Sequence, residues 1–367
     1  MTLFAPDLCP RLIVKIGSAL LVGDGGAVRD ERLAALASAI GARTRAGQRV
    51  AIVSSGAIAI GARRLGLAKG GRASLEDAQA AAAVGQIALS QCWAGALGAE
   101  GLAAAQILLT LDDLEDRRRY LNAAATLDRL MGLGVVPVIN ENDSVATEEI
   151  RFGDNDRLAA RVAQAAGAQG VVLLSDVDGL YDRNPALPGA AHIARVDRIT
   201  PAIEAMADRG SASGMGSGGM ASKIAAARIA SAAGVQLAIA SGHDAAPLGD
   251  GRHTMFVAER AAPARKAWLA SGLTARGTIH VDAGAAAALS AGASLLAAGA
   301  TRIEGRFDRG DLVTIAAEGG EALARGLSEY PSEDAARILG RRNEDQAALL
   351  GYAPRSALVH RNHLAML

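Results

Sequence analysis

The first two-thirds of the chain alternates short apolar runs with stretches of helical spacing. RLIVKIG (11–17) and RVAIVSSGA (49–57) are runs of aliphatic and β-branched residues that close on glycine or serine. GLAAAQILLT (101–110), GVVPVIN (134–140), GVVLLSDVDG (170–179) and GVQLAIASG (234–242) repeat the theme. Their length, their flanking glycines and their near-continuous apolar character predict buried strands. Between them, spacings of three and four predict helices near 30–46, 77–98, 117–131, 155–167 and 219–233. Strands alternating with helices predict an α/β fold, an open, mainly parallel sheet sandwiched by helices. Ligands of such sheets gather at the carboxyl ends of strands. The polar residues cluster there: Gly17 and Ser18, Ser54 to Gly56, Asn140 to Asp143, Ser175 and Asp176, Ser241 and Gly242.

The alternation breaks near AERAAPARKAWLASGLT (258–274), and GTIHVDAG, TRIEGRF, DLVTIAAEGG and EALARGLSEY then read as short strands with Gly/Asp turns. This predicts a first domain over 1–262, a linker at 263–273, a small, mainly β module over 274–354 and a tail at 355–367. A module of roughly 80 residues falls within the usual domain range.

Composition narrows the class. Half the residues are hydrophobic, only 3% are aromatic, and the formal net charge is zero. That suits close-packed helices on a sheet and points to no polyanionic partner. The opening MTLFAPDLCPRLIVK lacks a basic stretch leading into an apolar one, so no signal peptide is expected. No apolar run of roughly 18 residues free of charges and turn signals predicts a membrane span. Cys9 and Cys92 lack metal-ligand spacing, and two such thiols fit a reducing cytoplasm.

The chemistry begins with lysine. Of 38 basic residues only Lys15, Lys69, Lys223 and Lys266 are lysines. A chain that uses arginine elsewhere for charge keeps lysine where a compact ammonium is needed. Lys223 follows GMGSGG (214–219), which matches G-x-G-x-x-G. A dinucleotide fingerprint would need a strand before it and an acid ending the next strand; ADRGSAS and VQLAIASG supply neither. A P-loop lysine would directly follow the last glycine. What remains is a glycine-rich loop entering a helix, where bare N–H groups and the helix end favour an anion. Ser217, Ser222 and Lys223 add to that cradle; the alternative is a loose loop with a surface lysine.

Lys15 sits inside LIVKIG, where an unpaired ammonium is costly. Either it faces water from an edge strand or it points a charge at a ligand beyond the strand end. Asn140-Glu141-Asn142-Asp143 follows a strand, and Asp154-Asn155-Asp156 precedes a helix. One of the latter can be an N-cap, but capping does not account for both clusters. Together they can hold a small zwitterion or a hydrated Mg²⁺. Ser54-Ser55-Gly56-Ala57 reads equally as an anion cradle or as helix capping. All six histidines lie at or beyond His192, so no usual general base is at hand. That suits a nucleophile already ionised, a carboxylate of pKa about 4. Its phosphorylation needs mainly cations and positioning.

LIVKIGSALL, IVSSGAIAIG, LLTLDDLEDRRRYLNA, VPVINENDSVA, FGDNDRLAA, LLSDVDGLYDRNP and SGMGSGGMASK, in this order, resemble the amino acid kinase family, in the branch that phosphorylates glutamate. TIHVDAGAAAALSAGASLL resembles a PUA domain. The resemblance implies ATP- and Mg²⁺-dependent phosphorylation of the γ-carboxylate of L-glutamate, the first step towards proline. It implies that Lys15 and Lys223 neutralise the transferring phosphoryl group and that Asp156 orients them. Ser55, Gly56, Asp143 and Asn155 would bind glutamate. Lys15, Ser175, Asp176, Ser217, Gly218, Gly219, Met220, Ala221, Ser222 and Lys223 would line the nucleotide site; Ser175 and Ser217 stand where threonine is more usual and keep its hydroxyl. No side chain is assigned as a direct metal ligand. Proline is implied as an inhibitor, glutamate-5-semialdehyde dehydrogenase as a partner, and a homo-oligomer (dimer or tetramer) as the assembly. Two alternatives stand beside this: a sister kinase acting on another carboxylate, and RNA binding through the PUA module. Against RNA, residues 274–354 hold eight arginines, no lysine and eleven acids, the wrong sign for phosphate binding.

Overall fold

A computed structural model describes residues 4–145, 155–209, 219–244, 246–258 and 275–367. The chain divides into two compact units, one of residues 1–115 and 122–259, the other of 116–121 and 260–367. Chain order begins β1 (Arg11–Ile16), α1 (Ser18–Leu21), α2 (Asp30–Arg45), β2 (Arg49–Ser54), α3 (Ala57–Leu65), α4 (Leu75–Ala99) and β3 (Ala104–Leu109). It continues α5 (Leu111–Glu115), α6 (Arg117–Gly132), β4 (Val136–Glu141), α7 (Asn155–Ala166), β5 (Gly170–Ser175), β6 (Leu180–Tyr181), β7 (His192–Ile193) and β8 (Arg195–Val196). Then come α8 (Pro201–Arg209), α9 (Met220–Ala232), β9 (Gln236–Ser241) and β10 (His253–Phe256).

Eight strands form one sheet in the order β3-β4-β2-β1-β5-β9-β10-β8. It is parallel except where β10 runs against β9. β1 pairs with β2 on one side and β5 on the other, with Ile16 level with Ser54 and Leu174. Lys15 therefore lies in a central strand, and the edge-strand alternative falls away. The chain leaves β1 towards β2 and leaves β5 towards β9, so the order reverses between β1 and β5. The crevice beyond their carboxyl ends is the topological switch point of the sheet.

Strand alternation decides which face each residue serves. Leu12, Val14 and Ile16 join Val50, Ile52, the α2 residues Leu36 and Ile40, and Leu89, Trp93 and Leu97 of α4 in one core. Each fully buried aliphatic side chain there contributes about 1.5–3 kcal/mol. Ile13 and Lys15 project from the opposite face.

α4 is long and apolar enough to cross a membrane by length and composition alone. Its Trp93, Leu89 and Leu97 are core residues of this unit. Against α3 it packs at backbone distance. A Cβ on Gly61 would lie 1.8 Å from the Ala81 carbonyl oxygen, and one on Gly85 would lie 1.8 Å from that of Ala57. α3 was not among the helices read from spacing, although the Ser54–Ala57 turn admitted one; its AIAI start alternates like a strand. The chain turns into it at Gly56, whose φ of 124° suits only glycine.

The second unit contains β11 (Gly277–Val281), α10 (Ala283–Ser290), β12 (Ala300–Gly305), β13 (Leu312–Ala317), β14 (Ala322–Leu327), α11 (Ser332–Arg337), α12 (Asn343–Leu350) and β15 (Leu364–Met366). Its sheet runs β12-β11-β13-β14-β15. Ile279, Val281, Ile315, Tyr330, Leu358 and Val359 share its core. Residues 355–367 differ from a free tail: Leu358 and Val359 are buried, and β15 pairs antiparallel with β14. Without them β14 would present an open edge.

Candidate active site

Three buried charges meet beyond β1. The Lys15 Nζ lies 2.6 Å from Oδ1 of Asp156, and the Lys223 Nζ lies 3.0 Å from Oδ2. Exposure is 6% for Lys15, 3% for Lys223 and 1% for Asp156. Each comes from a different element: β1, the first turn of α9 and the first turn of α7. Burial penalises the Asp156 charge, but the ammonium groups of Lys15 and Lys223 outweigh it and hold its carboxyl below the ordinary value. Burial lowers the pKa of Lys223; Asp156 opposes that shift most strongly, and Asp176 adds a weaker pull. The three groups carry one net positive charge in a dry place, where a charge acts more strongly than in water.

The helix that carries Lys223 begins at Gly219, which offers no side chain to cap it. Met220, Ala221 and Ser222 form its first turn, so helix end and lysine favour negative charge at the same spot. Ser217 and Gly218 lie outside the described residues, as do Asp154 and the 263–273 segment. Ser175 ends β5 and donates to Oδ1 of Asp176 at 2.9 Å.

A second group lies at the ends of β2 and β4. Asn155 Nδ2 donates to Ser55 Oγ at 2.7 Å and to Asn140 Oδ1 at 3.0 Å. Asn140 Nδ2 donates to Gln86 Oε1 at 2.8 Å. Ser54 takes no part; its Oγ accepts from Trp93 Nε1 at 2.9 Å. No side chain caps α3, which removes the capping reading of the two serines. The Ser55 N–H is spent on the Ile16 carbonyl, so an anion cradle here would rest on the N–H groups that follow. Asp143 is buried, and burial pushes its carboxyl up to about 6 against an opposing pull from Arg72. Asp143 Oδ1 and Asn155 Oδ1 are buried and accept no hydrogen bond among the described residues.

The structure thus joins Lys15, Asp156 and Lys223 directly, and joins Ser55 to Asn155. Gln86 and Arg72 were missed by sequence reasoning. Gln86 leaves one trace, a lone amide in the apolar run AAAAVGQIAL; Arg72 leaves none. Among the described residues no group of three His, Cys, Asp or Glu is placed to hold a metal ion.

The Amino acid kinase family model matches residues 10–241, and the PUA domain model matches residues 277–348. The chain belongs to the amino acid kinase family, with a PUA domain following the kinase domain. Its curated relatives are named glutamate 5-kinases. That of Sphingopyxis alaskensis is 72% identical over all of both chains. That of Novosphingobium aromaticivorans is 61% identical over 98% of this chain and 96% of its own length. That of Zymomonas mobilis is 60% identical over 99% of this chain and 93% of its own. Among solved structures, UMP kinase from Ureaplasma parvum aligns with a TM-score of 0.45 and 16% identity, over 67% of this chain and 98% of its own.

Proposed function

We infer that this chain is a glutamate 5-kinase: it transfers the γ-phosphoryl group of ATP to the γ-carboxylate of L-glutamate, giving L-glutamyl 5-phosphate for proline synthesis. The observation that carries the reading is the clamp of Lys15 and Lys223 on the two oxygens of Asp156 at the switch point of the sheet. A carboxylate oxygen forms the new bond to phosphorus, and the bond from phosphorus to the bridging oxygen of ADP breaks. No proton changes hands, so no general base is needed. The catalyst must instead hold two anions together and spread charge over the transferred group.

Lys15 and Lys223 supply that charge. Asp156 keeps both ammonium groups aimed and separated while touching neither reactant. The uncapped start of α9 and Lys223 face the nucleotide phosphates, with Ser175 and Asp176 beside them. Ser55, Gly56, Asp143 and Asn155 hold glutamate; the unpartnered acceptors on Asp143 and Asn155 suit its ammonium group. Mg²⁺ enters with ATP, its shell filled largely by phosphate oxygens and water.

The same reading includes feedback inhibition by proline, a homo-oligomer, a cytoplasmic setting, and hand-over of the labile acyl phosphate to glutamate-5-semialdehyde dehydrogenase. The test traps acyl phosphate as a hydroxamate in the presence of ATP and Mg²⁺, with glutamate, N-acetylglutamate or aspartate, each with and without proline. Turnover of glutamate alone, suppressed by proline, is expected. Turnover of one of the other two would transfer the chain to a sister kinase, and silence on all three would remove the substrate assignment.

A further inference from the structure

The amides around Asn155 form a directed chain. Gln86 on α4 is buried; its Nε2 donates to Ser90 Oγ at 3.2 Å, and its Oε1 accepts from Asn140 at 2.8 Å. Asn140 in turn accepts from Asn155 at 3.0 Å, and Asn155 also donates to Ser55 at 2.7 Å. An amide side chain has two chemically opposite ends, one a donor and one an acceptor. The Nδ2 end of Asn155 is occupied within the protein. Its Oδ1, buried and accepting nothing among the described residues, is the end left for a ligand. The chain ends on the Ser90 hydroxyl, whose oxygen accepts from Gln86 Nε2.

We propose that Gln86 is a positioning residue for the α-ammonium group of the substrate: through Asn140 it turns Asn155 so that a carbonyl oxygen, not an amino group, meets the ligand. The proposal rests on glutamate being the substrate. With the chain reversed, Asn155 would set an N–H against an ammonium, two donors facing each other. With it intact, Asn155 Oδ1 is a buried acceptor without a partner among the described residues, suited to an ammonium N–H, and an acetylated nitrogen would offer it fewer hydrogens. Gly85 makes the relay reachable, because its missing side chain lets α4 lie against the Ala57 carbonyl, one residue before Gln86.

Two substitutions separate polarity from packing. Gln86→Leu removes the relay at similar volume. Gln86→Glu keeps an acceptor for Asn140 and so keeps the direction. The leucine variant should raise the glutamate KM about tenfold, the factor matching one lost interaction of about 1.4 kcal/mol. Its kcat and ATP KM should stay near wild type, and Gln86→Glu should restore most of the glutamate affinity. No KM change in Gln86→Leu, or an equal rise in both variants, would overturn the proposal. A second readout needs no substrate: in protein labelled with ¹⁵N-asparagine, the Asn155 side-chain signal is assigned by its loss in Asn155→Ser. Its amide hydrogens should exchange slowly in wild type and Gln86→Glu, and quickly in Gln86→Leu. Equal exchange in all three refutes the relay. If wild type fails to turn over glutamate, the substrate assignment fails and the exchange data alone decide on the relay.

Discussion

Replacing Asp156 with asparagine keeps the side-chain shape and removes one charge. Lys15 and Lys223 then lose a carboxylate at 2.6 and 3.0 Å while staying almost fully buried. Breaking a buried pair by removing one partner costs about 3–5 kcal/mol. Proton loss sets a ceiling: a lysine of ordinary pKa 10.5 can deprotonate at pH 7.5 for about 4 kcal/mol. The expected destabilisation is therefore about 4 kcal/mol, a fall in Tm of roughly 8–16 °C for a unit of this size. A neutral lysine no longer stabilises the transferring phosphoryl group, and losing one such preorganised donor costs about 10²–10³ in kcat. The sign of the pH effect follows. Burial already lowers the pKa of Lys223, and without Asp156 it falls further, so the kcat of Asp156→Asn should rise as pH drops from about 9 to about 6. In wild type the Asp156 carboxyl is depressed below its ordinary 3.8. Its stabilisation is complete above that value and is lost only as pH falls through the depressed folded value. The hydroxamate assay across this pH range, with thermal melts alongside, tests the argument. A kcat within about threefold of wild type at every pH, with an unchanged Tm, would refute the clamp, since the expected loss is far larger.

Asp143 titrates at about 6, so glutamate KM should rise as pH falls below that value and the acceptor takes up a proton. Asp143→Asn should raise KM at pH 8 and flatten its pH dependence, while ATP KM holds; an unchanged glutamate KM would take Asp143 out of the site. Because its folded pKa lies above the ordinary 3.8, ionising Asp143 weakens the fold as pH rises from 3.8 to about 6, and Asp143→Asn should lose that slope in urea melts. Lys15→Arg keeps the charge but brings a larger planar group; kcat should fall at least tenfold, by analogy with loss of an oriented donor, and near-normal turnover would remove Lys15 from the mechanism. Gly85→Ala places a Cβ 1.8 Å from the Ala57 oxygen and should cost about 1–3 kcal/mol or more. Gly98→Ala, on the same helix with nothing within 4 Å, should be neutral or stabilising by up to about 1 kcal/mol.

The clamp was legible because lysine is rare in this chain. Lys15 inside an apolar run and Lys223 after a glycine cluster stood out as charges that needed a reason, whereas the role of Asp156 came only with the family resemblance; by itself it was one member of the Asp154-Asn155-Asp156 cluster. The six main strands were legible from their apolar runs, although Ser54 and Ser175 end strands that the pattern carried to 57 and 179. Turn residues there keep apolar neighbours, so the hydrophobic signal outlasts the strand. The extent of α3 was not legible from spacing because Ala57-Ile58-Ala59-Ile60 mimics strand alternation; only the Ser-Ser-Gly turn hinted at a helix, and the positive φ of Gly56 marks the change of direction. Gln86 was illegible for a different reason. Its role depends on which way neighbouring amides point, and that is set by partners 54 residues away in sequence.

The α3–α4 crossing has a consequence for how this sequence can drift. Ala81 and Ala57 place carbonyl oxygens where side chains at Gly61 and Gly85 would begin. Each helix therefore works as a gauge for the other, with one tooth per glycine. Sliding α4 by a turn, about 5.4 Å, would bring a Cβ against the Ala57 carbonyl where Gly85 now lies and carry Gln86 away from Asn140. Neither glycine can compensate for the loss of the other, because each answers to a different carbonyl. A variant of this chain can keep the crossing only with glycine at both positions.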